Sequence, residues 1–171
     1  MMCCRICIIG PSSSGKSTLS ERLGRRLNYP VLYMDKIAHI PHTDWKRCPI
    51  EQTIQEHDTF IQKDQWIVEG NYAKMMPQRF KRADMVIFHQ FNRFGCLWRY
   101  IRRTLRDDKN RAGRLEGGIE RIKWLMIRYI LFDAPKRNKK YEILLKQYPH
   151  LRVIRVYSFK DIEKLMQEIL V

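Results

Sequence analysis

Gly10-Pro11-Ser12-Ser13-Ser14-Gly15-Lys16-Ser17-Thr18 fits the phosphate-loop pattern G-x-x-x-x-G-K-[ST]. Upstream stands Ile6-Cys7-Ile8-Ile9, a short apolar run that reads as a buried parallel strand. Downstream, Leu19, Leu23 and Leu27 share one face of a helix expected over residues 17–27. Strand, glycine-bracketed loop and helix form the context that this motif needs. Gly10 and Gly15 permit turns that a Cβ would obstruct, so that backbone N–H groups face inward at a helix N-terminus. The pattern predicts a nucleoside triphosphate such as ATP, cradled by residues 10–18. Lys16 is expected to reach the β- and γ-phosphates, Ser17 to place its hydroxyl on Mg²⁺, and Thr18 to lie near the α-phosphate.

The 171 residues suit one domain with a proper core. A formal charge of +15, from 33 basic and 18 acidic residues, predicts attraction for polyanions. Nucleic acid is one candidate partner; nucleotides and phosphorylated small molecules suit the charge equally. No stretch approaches the length of an apolar membrane span. The first residues run directly into a strand and leave no room for a signal peptide. Five cysteines without good metal-ligand spacing suit a reducing compartment. The expectation is a cytoplasmic chain with no membrane partner.

Further along, Val31 to Met34 reads as a second strand with Asp35 at its exit. Ligands gather at that edge of an open α/β sheet, which makes Asp35 a candidate for a Mg²⁺-bound water or a substrate hydroxyl. Residues 36–49 read as irregular and 51–60 as a helix. Together, residues 36–64 are the expected acceptor-binding cover. His39 and His42 lack a third ligand at useful spacing. Trp66 to Val68 reads as a third strand, with Glu69-Gly70-Asn71 as its exit turn. Glu69 there is placed to organise a metal-bound water or take a proton, and Gly70 and Asn71 to approach a substrate. Arg79 lies in a short helix, facing either phosphate or solvent, and residues 84–89 form a fourth strand that exits at His89.

A helix follows from Arg93 to the vicinity of Arg106, with Arg99, Arg103 and Arg106 near one face. Such a cluster repels itself unless anions answer it. Residues 108–118, with Gly113, Gly117 and Gly118, read as a hinged lid whose Arg111 and Arg114 close on the phosphates. Residues 119–132 are expected to be a helix burying Trp124, Ile127 and Leu131, interrupted at Pro135; residues 136–148 form another. The last strand covers 152–157, and Ser158 caps the final helix at a turn suited to border a nucleotide base. The elements alternate as in a three-layer α/β core. Phosphoryl transfer is the leading reaction, with Lys16, Arg99 and Arg103 stabilising charge and Asp35 or Glu69 aligning the acceptor.

The loop, Asp35, Trp66-Ile67-Val68-Glu69-Gly70-Asn71-Tyr72, Arg79 with Ala83-Asp84, and the stretch from Arg93 to Arg103 resemble the DNA topology modulation protein family. This is a group of P-loop proteins related to adenylate kinases. The resemblance implies a nucleoside-monophosphate-kinase-like fold with a five-stranded parallel sheet in order 2-3-1-4-5. It implies an ATP-dependent kinase acting on a small acceptor, with nucleotides among the candidates. It also places Arg99 and Arg103 near the phosphates, while Arg79 and Arg93 are further candidates for binding the substrate. The chain departs from the family at His89-Gln90-Phe91, where an aspartate is usual, at His39, where a tryptophan is usual, and at Arg114-Leu115-Glu116, where the lid string is Arg-Pro-Asp. Two alternatives share the loop: a regulatory ATP-binding or ATPase protein, and a DNA-associated protein without small-molecule kinase activity.

Overall fold

A computed structural model describes residues 4–106, 112–118 and 121–169. Strand β1 (Arg5–Ile9) is almost wholly buried at the centre of a five-stranded sheet. Helix α1 (Lys16–Leu27) follows the loop and ends on Asn28, whose left-handed backbone lets its N–H bond the Gly24 carbonyl. Arg25 and Arg26 occupy its last turn, where cations suit the helix dipole. Edge strand β2 (Val31–Tyr33) comes next and gives way to helix α2 (Met34–Ala38). The remaining elements are α3 (Ile50–Phe60), β3 (Trp66–Glu69), a 3₁₀ turn (Ala73–Met75), α4 (Met76–Arg82), β4 (Met85–His89) and α5 (Arg93–Arg106). Then come α6 (Trp124–Arg128), a π-helical turn (Tyr129–Asp133), α7 (Ala134–Leu145), β5 (Arg152–Val156) and α8 (Phe159–Glu168).

All strand pairings are parallel and the order is β2-β3-β1-β4-β5. Alternation along β1 sorts its side chains. Ile6 and Ile8 join a core with Leu19, Leu23, Tyr100 and α8, whereas Cys7 and Ile9 join another with Met34, Phe80, Tyr141 and Leu145. Both sheet faces are therefore covered, as an all-parallel sheet requires. Ile8 pairs with Glu69 and Ile9 with Phe88, so the ends of β3 and β4 flank the start of the loop.

Two elements differ from expectation. Met34 and Asp35 open a helix instead of ending a strand, and residues 36–38 complete it. The rest of the expected irregular stretch is closed by a bridge between His39 and Arg47. The second difference is at Pro135, which does not interrupt the helix. The chain passes from α6 through one π turn into α7, with the Ala134 N–H bonding the Tyr129 carbonyl. Proline has no N–H for the carbonyl four residues earlier, that of Leu131. Arg93 Nη1 donates to that carbonyl at 3.2 Å. The proline is thus accommodated by a widened turn and a borrowed donor. Trp124, expected inside, is 75 % exposed; Ile130 is the fully buried residue of this segment.

Asp84 pins the entrance of β4 to that of β1. Its carboxylate accepts from the Cys4 and Arg5 amides at 3.1 and 2.9 Å and from Arg5 Nε and Nη2 at 3.2 and 2.7 Å. Partial burial pushes its acidity down, but the bonds from Arg5 outweigh this and hold the carboxyl below its ordinary range. Replacing Asp84 by Ala is expected to cost about 2 kcal/mol, since charge-assisted bonds contribute on this scale. Thermal melts should show a Tm lower by about 5 °C for a chain of this size; an unchanged Tm would remove Asp84 from the stabilising set.

Candidate active site

The loop between β1 and α1 is held from its outer side. Asn71 clasps Gly10 at both ends: its Oδ1 accepts from the Gly10 amide at 3.0 Å and its Nδ2 donates to the Gly10 carbonyl at 2.9 Å. Lys16 Nζ and Ser14 Oγ each donate to the Pro11 carbonyl at 2.9 Å. Arg99 Nε donates to the Ser13 carbonyl at 2.7 Å, and His89 Nδ1 bonds that of Ser14 at 3.0 Å. Turning carbonyls outward favours amides turned inward. The first N–H groups of α1 have no intrahelical acceptor, and Gly15, its N-cap, supplies no side chain to take one. The backbone is left-handed at Ser13 (φ 60°) and Gly15 (φ 86°), as a nest of inward amides needs. At Gly10 (φ 138°) a Cβ would lie 2.5 Å from the His89 carbonyl oxygen, so glycine is required by space as well as by backbone angle.

At the mouth of the loop, the buried Glu69 closes the end of β3. Ser17 Oγ donates to Glu69 Oε2 at 3.2 Å, and Lys16 Nζ lies 3.7 Å from Oε1. Burial raises the Glu69 pKa; Lys16 opposes this, Asp35 adds to it, and the Ser17 bond opposes it again. Asp35 is exposed and accepts from the Tyr72 hydroxyl at 2.7 Å. The Tyr72 phenol is pushed far up by burial and by that carboxylate, so it stays a donor. Gly70 sits between the two groups with φ 128°, and a Cβ there would lie 2.7 Å from that of Met34.

The turn at residues 112–118 lies over this mouth. A Cβ on Gly113 would be 3.0 Å from both Ser17 Oγ and the Tyr33 ring. The same turn meets residues 39–47: the His42 amide donates to the Glu116 carbonyl at 2.7 Å, and Gly117 packs on the His42 ring. Lys123 and Asp44 form an ion pair beside them at 2.7 Å. Leu115 is buried beneath. The two segments thus touch each other across the loop.

Several expected residues lie elsewhere. Arg79 is fully buried, facing neither phosphate nor solvent, and donates to the Gly70 and Asn71 carbonyls at 2.6 and 2.9 Å. Desolvation lowers its pKa, and Cys7 and Glu69 push it back up. Arg93 is engaged with Leu131 and lies over the Phe94 ring, away from the acceptor side. Arg99 holds the back of the loop, its guanidinium between the Phe91 and Phe159 rings at 5.2 and 5.1 Å. Arg103 lies over the Tyr100 ring, and Arg114 donates to Gly118 within its own turn. Arg111 lies outside the described residues. The Ser158 hydroxyl accepts from the Asp161 amide as a helix cap, and it is the Phe159 ring that reaches Gly15. His89, Phe91 and Phe159 support the loop; the sequence places His89 at the exit of a central strand and Phe159 in the turn after the last one, without this role for either, and does not single out Phe91.

These residues fit a phosphate chain with Mg²⁺. The described residues contain no group of three His, Cys, Asp or Glu that would cage a metal alone. Mg²⁺ characteristically takes few protein ligands beside phosphate oxygens and water, and the Ser17 hydroxyl next to Glu69 is a donor set of that kind.

No family model matches the chain, and no curated protein matches it. Among solved structures, a proposed kinase from Chloroflexus aurantiacus superposes with a TM-score of 0.57 at 15 % identity, over 99 % of this chain and 97 % of that one. Shikimate kinase from Bacteroides thetaiotaomicron superposes with a TM-score of 0.59 at 12 % identity, over 99 % of both chains. At such identities the likeness carries the fold: a three-layer P-loop fold of the nucleoside-monophosphate-kinase type, with parallel strands in order 2-3-1-4-5.

The buried supports make stability depend on acidity. Burial pulls His89 down to about 3 from an ordinary value of 6.5, and Lys16 adds to the effect. His57 is lowered in the same direction, chiefly by burial. The unfolded chain therefore binds more protons than the folded one between pH 6.5 and 3, and stability falls as pH drops through that window. Glu69, raised by burial, works in the opposite sense above its ordinary value of 4.5. Denaturant titrations should find a loss of up to about 1.4 kcal/mol per pH unit from His89 within the window. The slope should flatten in His89→Gln; an equal slope in both proteins would place the acid sensitivity elsewhere.

Proposed function

We propose that the chain is an ATP-dependent phosphotransferase that moves the γ-phosphoryl group to a small acceptor. The observation carrying this reading is the convergence of Lys16, Ser17 and Glu69 at the mouth of an amide-lined loop, beneath the turn at 112–118. Mg²⁺, when bound, neutralises developing charge on the donor phosphates. Lys16 leaves the Pro11 carbonyl and Glu69 for the phosphates, placing its ammonium where charge grows. Glu69, bonded to Ser17, serves the metal side. Asp35, held by Tyr72 at the border of residues 36–64, serves the acceptor side.

An acceptor oxygen forms the new bond to phosphorus as the bridging P–O bond breaks, and that electron pair leaves on the nucleoside diphosphate. Where the acceptor is a hydroxyl, its proton passes to the Asp35 carboxylate. Residues 36–64 act as the acceptor cover and 108–118 as the lid, and their contact through His42 and Glu116 excludes water. Nucleotides head the list of acceptors, because the positive field favours phosphorylated ones. The same field supports a DNA-associated role as the second reading, in line with the DNA topology modulation resemblance.

The test is an acceptor screen with ATP labelled in its γ-phosphate, covering nucleoside monophosphates, nucleosides and small phosphorylated metabolites. Label should move to one acceptor class, and Lys16→Ala should lower turnover on the order of a hundredfold or more with a much smaller loss of affinity. Release of inorganic phosphate alone would favour a regulatory ATPase. Salt-sensitive duplex binding that survives Lys16→Ala would favour the DNA-associated reading. The division of labour between carboxylates has its own readout. Asp35→Asn should raise KM for the acceptor, and lower kcat where that acceptor is a hydroxyl, with the Mg²⁺ requirement unchanged, whereas Glu69→Gln should lower kcat and shift the Mg²⁺ requirement upward; an equal Mg²⁺ shift in both would refute the division.

A further inference from the structure

Helix α5 and the segment from Arg121 to Phe132 lie side by side and antiparallel. Arg93 bonds Leu131 at one end, while the Tyr100 hydroxyl donates to the Arg121 carbonyl at 3.1 Å and accepts from the Lys123 amide at 2.9 Å further along. Cys96, Tyr100, Thr104 and Ile130 turn inward from this hairpin. On the outer side Phe94, Trp98, Leu105, Trp124, Leu125 and Phe132 are all between 58 % and 75 % exposed. Phe94, Trp98 and Leu105 recur at intervals of four and seven, which puts them on one stripe of α5. Single exposed apolar residues are ordinary; six on two adjacent segments, four of them aromatic and one stripe continuous, are not.

The charge around them has one sign. Residues 93–106 and 121–132 carry eight Arg and Lys and no Asp or Glu. Arg102, Arg106, Arg121 and Arg128 are exposed beside the apolar residues. A second copy of the same face would bring like charges together. Nucleic acid would answer the arginines but leave Leu105 and Leu125 against a polar surface, with nothing to gain from their burial. An anionic bilayer answers both. Indole and phenyl rings suit the boundary between headgroups and acyl chains, leucines suit the hydrocarbon just below, and arginines reach lipid phosphates with their aliphatic stems still on the apolar side. No described helix is long and apolar enough to cross a membrane, so contact of this kind lies on the surface.

We propose that the outer face of the α5/α6 hairpin docks on anionic phospholipid membranes. The proposal departs from the expectation that the chain has no membrane partner, and it rests on the exposure of Trp124 where burial is expected. The surface lies apart from Lys16, Ser17 and Glu69, and the inference holds whichever acceptor the loop serves.

The test is co-sedimentation of the full chain with vesicles of mixed phosphatidylserine and phosphatidylcholine, against phosphatidylcholine alone. Binding should require the anionic lipid and weaken as salt rises. The triple variant Trp98→Ser, Trp124→Ser, Phe132→Ser should lose affinity by about tenfold or more, because apolar area no longer leaves water. Its circular dichroism melt should match that of the parent, since all three positions are exposed. Vesicle binding undiminished in the triple variant would mean charge attraction alone and would overturn the proposal. So would equal binding to neutral vesicles, or no vesicle binding. In the same buffers, duplex DNA retention or concentration-dependent dimerisation that disappears in the triple variant, without vesicle binding, would assign the face to nucleic acid or to a second copy instead.

Discussion

The two-point clasp of Asn71 on Gly10 is the constraint on which the rest of the site depends. A glycine at the start of a loop is chosen for freedom, and freedom is what a binding cradle must lose before its ligand arrives. The amide side chain removes it by pairing with the Gly10 N–H and C=O together, much as a neighbouring strand would. Asn71 is itself held, since its own carbonyl and that of Gly70 accept from the buried Arg79. Fixing Asn71 fixes Glu69 two residues earlier. One chain of hydrogen bonds therefore sets both the shape of the loop and the place of the carboxylate that faces it. The cost is a guanidinium taken out of water, which the two carbonyl acceptors, Cys7 and Glu69 offset only in part, since burial still holds its pKa below the ordinary value.

Order at the loop is matched by closure above it. Gly113 over Ser17 and Gly117 over His42 are places where any Cβ would force the segments apart. Close approach at two glycines, with a backbone bond from His42 to Glu116 between them and Leu115 buried, makes a cover that fits tightly.

Sheet and loop were legible in the sequence because their signals are local and strong. A continuous apolar run, two glycines and a leucine stripe leave few other structures open to residues 6–27, and the strand order followed from family likeness. The arginines were not legible in the same way. A guanidinium offers five donors that serve a phosphate or a carbonyl equally well, and spacing does not say which lies nearby. Arg79, Arg93 and Arg99 all turned out to bond backbone carbonyls. Trp124 failed for another reason: helical periodicity finds an apolar stripe but not whether anything lies against it. The stretch at 119–132 offers two such stripes, and Ile130 takes the inner one.

The π turn at Tyr129–Asp133 sets the rotational phase of everything after it. An α-helix advances about 100° per residue, so the extra residue of a π turn rotates the downstream helix by roughly that amount relative to the upstream one. Upstream, Met126 and Ile127 pack with one side of the sheet; downstream, Tyr141 and Leu145 pack with the other. A one-residue deletion within the turn removes that extra residue and lets an ordinary α turn take its place, with Tyr141 and Leu145 still facing their core. The same deletion between the turn and Tyr141 has no spare residue to give up, and it would move Glu142 and Lys146 into the places of Tyr141 and Leu145. Single-residue deletions should therefore be tolerated better within the turn than in the helix that follows it.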